Sequence, residues 1–166
     1  MLGIGHQVMY GAHGVCTVVA LENRKIDGKM LEYLVLEPLD KGGSRFFVPS
    51  GNPKALEKLH PLIGKEELAK LLSSPESRKN VWIPEENLRK QKYRELLSGG
   101  DREGMLQMIH SLQVHQRIQL KAGRKMHLCD ENFLRDALRL ICAEFAVVLQ
   151  IPASEVPAYM DSVVKE

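Results

Sequence analysis

VCTVVALENRKIDGKMLEYLVLEP, residues 15–38, decides the architecture of the chain. It opens with a β-branched run centred on Thr17, Val18 and Val19, and it closes with Tyr33-Leu34-Val35-Leu36. Between them stands Asp27-Gly28, the dipeptide that best supports a two-residue hairpin, because a type I′ turn requires positive φ at both central positions. Two strands folded back on each other are therefore predicted. Working outward, Gln7-Val8-Met9-Tyr10 reads as a strand leading to Gly11 and Gly14. Downstream, Gly42-Gly43 reads as a second turn, and Arg45-Phe46-Phe47-Val48 as a further strand closed by Pro49, which cannot donate to a ladder. About five short strands with tight turns form the pattern of a small antiparallel barrel.

After Pro53 the apolar period changes from two to 3.6. Lys65 to Leu72 predicts a short helix with Leu68, Leu71 and Leu72 on one side, interrupted by the turn-forming SSPES of residues 73–77. Pro84 suits a first helical turn and Glu85 and Glu86 suit its positive end, so a helix is predicted from about Pro84 to Leu97. Asp101 reads as the N-cap of a long helix ending near Gly123. Asp130 reads as the cap of another, with Phe133, Leu134, Ala137, Leu138, Ile141, Phe145 and Val148 at helical spacing. Pro152 ends it, Ser154 can cap again, and a short amphipathic segment runs to about Val164. The expected fold class is α+β: a barrel over residues 1–53, then an all-α bundle over residues 54–166.

The 166 residues, 44% of them hydrophobic, suffice for one ordinary core or two small ones. The longest apolar stretch, Phe145 to Leu149, is far short of the roughly 20 residues that cross a bilayer. The N-terminus lacks a basic segment followed by an apolar one. A soluble, cytoplasmic protein is expected, as a monomer and without a membrane partner. Cys16, Cys129 and Cys142 lie among apolar neighbours with no paired spacing, so no disulfide is expected.

A net charge of +2 conceals an asymmetry. Residues 1–77 hold 9 basic and 9 acidic side chains; residues 78–127 hold 11 and 5; residues 128–166 hold 3 and 7. The middle segment is thus net +6 and suggests a polyanionic partner. Arg89, Lys90, Lys92 and Arg94 form two adjacent stripes at 100° per residue, a face that can meet a phosphate backbone if Leu88, Leu96 and Leu97 point inward. A second cluster, Lys121, Arg124 and Lys125, lies between the long helices, with Arg117 one turn earlier. Trp82, the only tryptophan, stands beside the first cluster, either as a wedge at an opened base step or as a packing anchor between modules. No base-reading signature is visible, so nucleic-acid binding would follow shape rather than sequence.

Catalysis finds little support. His110, His115, His127 and Cys129 do not match the paired spacings of structural zinc sites. No nucleophile turn and no Walker or dinucleotide glycine string is present. The chain is expected to be neither an enzyme nor dependent on a cofactor or metal. Protein binding is better supported, because a minimal barrel leaves an edge that can accept a strand. Arg24 and Lys25, just before the hairpin turn, could meet a partner carboxylate or merely keep that edge in solution.

The run from Val8 to Pro53, with V-x-Y-x-x-x-G-V, I-x-G, Y-L-V-L and V-P-x-x-N in order, resembles the RNA-polymerase-interacting domain of the CarD/CdnL family, shared with the transcription-repair coupling factor. The K-x-K-Y-R-E-x-L-x-G-G-D-like segment and GRKMHLCDENFLRDAL resemble the helical domain of CarD-like regulators from low-GC Gram-positive bacteria. That resemblance implies a Tudor-like barrel that binds the polymerase β subunit and a helical domain on promoter DNA that stabilises the open complex. Arg24 falls where the family carries a β-contacting Arg, with Lys25 and Ile26 beside it. A second such Arg falls on Phe47, with Arg45 near, and the family's wedge Trp falls on Glu86, one turn after Trp82. The leading alternative is a protein–protein adaptor that makes no DNA contact.

Overall fold

A computed structural model describes residues 3–39 and 44–165 of the chain. The chain divides into two compact units, Met1–Leu62 and Ile63–Glu166. This boundary lies nine residues beyond the change of period at Pro53, because two elements after that proline belong to the first unit.

That unit holds strands β1 (Gln7–Tyr10), β2 (Val15–Ile26), β3 (Lys29–Pro38), β4 (Phe46–Pro49) and β5 (Leu59–Pro61), and helix α1 (Pro53–Leu56). The strands form one antiparallel sheet in the order β4-β3-β2-β1-β5. Asp27 at φ 52° and Gly28 at φ 78° make the expected hairpin turn, and Ile26 faces Lys29 across it. The Gly42-Gly43 turn falls outside the described residues. The expected closure into a barrel is not seen: β4 and β5, at the two ends of the sheet, share no ladder among the described residues. They are four and three residues long, and each ends in a proline that has no N–H for a further rung. One face of the sheet carries the core of Val8, Cys16, Val18, Leu34, Leu36 and Val48, against which Phe46, Leu56 and Leu59 pack.

The hairpin outruns its neighbours. β1 pairs with β2 through Thr17, and the residues before β1 follow only to Val18, whose amide donates to the His6 carbonyl at 2.8 Å. β4 pairs with β3 only between Tyr33 and Leu36, and the Ser50 amide adds one bond to the Glu32 carbonyl at 3.0 Å. Among the described residues, β2 from Val19 onward and β3 from Lys29 to Leu31 therefore have one unpaired side each.

The second unit is helical: α2 (Lys65–Ser73), α3 (Glu86–Gly99), α4 (Arg102–Lys121), α5 (Leu128–Leu149) and α6 (Val156–Lys165). Asp101 caps α4 as expected, its carboxylate accepting the Gly104 amide at 2.9 Å. A Cβ at Gly104 would lie 2.5 Å from both Leu96 and the Asp101 carboxylate, so a larger residue there would displace one of these side chains. Two expected caps are corrected. α5 starts at Leu128, two residues before Asp130, whose carboxylate is engaged by an arginine instead. Ser154 lies inside a 3-10 turn that precedes α6. Met108, Leu112, Leu140, Ile141 and Phe145 are fully buried, each contributing roughly 1.5–3 kcal/mol by burial. No single helix among the described residues is long and apolar enough to cross a membrane.

Candidate protein-docking edge and basic end of the helical unit

In the first unit the candidate residues gather around the overhanging hairpin. Arg24 on β2 lays its guanidinium 4.1 Å above the Phe47 ring on β4 and also meets the Glu22 carboxylate at 3.2 Å. The exposed ion pair contributes little by itself. With the ring beneath, however, it holds the guanidinium along the sheet surface. Lys25 and Ile26 are exposed beside the turn, and Arg45 is exposed two residues before Phe47. Three exposed apolar residues that sequence reading passed over join them: Met30 (64% exposed), Leu31 and Leu21.

The second unit separates its candidate cations into two kinds. Arg89 does not belong to the phosphate-facing stripe: its side chain is only 5% exposed. Its Nε and Nη2 donate to the two Asp130 carboxylate oxygens at 3.0 and 3.1 Å, and its Nη1 donates to the Ile83 carbonyl at 3.0 Å. The fork geometry of arginine suits this bidentate bond, which joins α3 to α5 in place of a DNA contact. Lys90 forms an i,i+4 pair with Glu86 at 3.2 Å, which holds the Glu86 carboxyl below its ordinary pKa. Lys92, Arg94, Arg117, Lys121, Arg124 and Lys125 are exposed.

Trp82 is half-buried within this unit. Its ring stacks on His115 of α4 with centroids 3.8 Å apart and planes 14° apart, and the Arg89 guanidinium sits 4.4 Å from its centroid. Burial, more than the neighbouring charges, keeps the His115 pKa below its ordinary value, which favours the neutral imidazole against the indole. The Val81 amide donates to the Ser111 hydroxyl at 2.8 Å, fixing the strand-like approach to α3 on α4. Leu88 points outward at 59% exposed, against the inward orientation expected of it, because the buried side of α3 is taken by Arg89, Tyr93 and Leu96.

These contacts bring the start of α3, the last third of α4 and the start of α5 to one end of the unit. The same end exposes Leu88, Ile118, Leu120 and Leu128, the last at 71%. No sequence signal separates these from core residues, since their spacing is also helical. At the opposite end of α4, Arg102 clamps Glu144 at 2.6 Å, and Glu144 also accepts the Ile63 amide at 2.9 Å. Among the described residues no three His, Cys, Asp or Glu side chains are grouped to hold a metal ion.

The chain thus joins an open antiparallel sheet with an overhanging hairpin to a helical unit that follows it in sequence. Residues 2–60 match the family model of the CarD-like/TRCF RID domain, so the first unit is a domain of that kind. The match bears out the resemblance read from the strand motifs. No curated protein matches the chain closely enough to count as a relative.

Proposed function

We propose that this protein is a non-enzymatic transcription regulator that docks on the RNA polymerase β subunit through its first unit and rests the basic end of its helical unit on promoter DNA, stabilising the open complex. The carrying observation is the overhanging hairpin of a CarD-like/TRCF RID domain, with an unpaired strand edge and Arg24 laid over Phe47. Backbone groups on such an edge supply affinity, and the cation and flanking apolar side chains supply partner choice. A weak, sequence-independent DNA contact becomes effective when docking on a large machine raises its local concentration. The resemblance of the helical half to CarD-like regulators supports the DNA assignment, as does the exposure of Lys92, Arg94, Arg117, Lys121, Arg124 and Lys125.

Arg24→Glu in the full chain is expected to abolish co-purification with the β subunit while leaving the circular dichroism spectrum and melting temperature unchanged. Retained binding would refute the docking assignment. The second reading, a protein adaptor, draws on the exposed Leu88, Ile118, Leu120 and Leu128, which suit a protein partner as well as a DNA-abutting surface. Full-length protein that ignores forked promoter DNA at low ionic strength, yet still binds polymerase, would favour that reading.

A further inference from the structure

Beside the unpaired edge of β2 lies a hollow of about 790 Å³, within the range of roughly 300–1,000 Å³ that accommodates compact ligands. Val8, Leu34, Leu56 and Leu59 supply its apolar lining, and Leu21 and Glu32 line it from the hairpin. It exists because the sheet is open, with β4 and β5 unpaired across the gap. Leu21 belongs to both features: it lines the hollow, and it sits on the part of β2 that has lost β1 as a neighbour.

Strand geometry links the two. In a two-residue hairpin the pair flanking the turn exchanges both backbone bonds, and the pattern alternates from there. Starting at Ile26 and Lys29, the amides and carbonyls of Lys25, Asn23 and Leu21 are directed to the free side of β2. Side chains at these alternate positions share the face of Leu34, which is the face of the hollow. A strand added along this edge would turn every second side chain to the face of the hollow, and the one beside Leu21 would lie over the hollow itself.

We infer that the hollow is the anchor site of the docking strand: the partner segment is extended, pairs along Leu21 to Lys25, and inserts one large apolar side chain between Leu34, Leu56 and Leu59. An acidic residue next to the anchor suits Arg24, Lys25 and Lys29 at the hairpin tip. The inference rests on the polymerase-docking reading and names the chemistry by which that docking is recognised. It accounts for an apolar cavity left open on one side of a small domain, where collapse onto the gap would otherwise bury Leu21.

The test uses the full chain and purified β subunit. Leu56→Trp fills the hollow from α1 and leaves the edge of β2 intact, whereas Asn23→Pro removes an outward amide and leaves the hollow intact. Both variants are expected to weaken binding at least tenfold. Binding of Leu56→Trp at wild-type strength, with Asn23→Pro impaired, would overturn the anchor and leave edge docking standing. If Leu56→Trp fails to fold by circular dichroism, Leu59→Phe fills the same space with a smaller ring and carries the same expectation. Failure of the wild-type chain itself to bind the subunit would instead reject the docking reading and the anchor with it.

Discussion

Arg89 shows how a single side chain can look functional in one dimension and be structural in three. In the sequence it heads a dense positive run; in the fold its guanidinium is spent on Asp130, Ile83 and the face of Trp82. Removing one partner of such a pair leaves an uncompensated buried charge, at a cost of about 3–5 kcal/mol. Arg89→Ala is thus expected to lower the midpoint of urea unfolding sharply, while Lys92→Ala and Arg94→Ala, on the exposed side of the same helix, leave it within ~0.5 kcal/mol and weaken DNA binding instead. Equal stability losses in all three would contradict this division. The partner of Arg89 lies 41 residues away, a separation no local pattern reveals. Leu88 went outward for the same reason, since its helix had already committed its inner side.

At the scale of elements, α3 buries the whole of Tyr93, whose ring meets Phe133 of α5 edge-on at 5.5 Å. Burial, opposed by Arg89 and reinforced by Asp130, pushes the Tyr93 hydroxyl up to about 12. A folded-state pKa above the unfolded value of 10.0 stabilises the fold fully below pH 10, and that contribution is lost as pH rises toward about 12. Absorbance titration at the phenolate band should show a late component from Tyr93, with stability falling over the same interval. Tyr93→Phe should remove the late component and flatten the decline. Elements with strong local chemistry were legible before any coordinates: the hairpin from Asp27-Gly28, and α4 from Asp101. β5 was not, because Leu59-His60-Pro61 is three residues long and becomes a strand only by lying against β1. The missing β5 also displaced the expected domain boundary, and it hid the gap that keeps the sheet open.

For the molecule as a whole, net charge says little and its distribution says more. If the six exposed candidate cations Lys92, Arg94, Arg117, Lys121, Arg124 and Lys125 each meet a phosphate, binding of the protein to duplex DNA is expected to follow salt with a log–log slope of about −5, at roughly −0.9 per contact. A flat dependence would remove the phosphate contact from the proposal. The basic character of the chain's middle segment was legible in the sequence, but only burial separated Arg89 from its exposed neighbours Lys92 and Arg94. The overhang of β2 and β3 has a mechanical consequence too. A ribbon of two strands without flanking support carries a stronger twist than the sheet it extends, and two strands alone are only marginally stable in water. A third strand arriving from outside would bring that ribbon into continuity with the sheet, so a partner of this kind would also stabilise the tip against fraying.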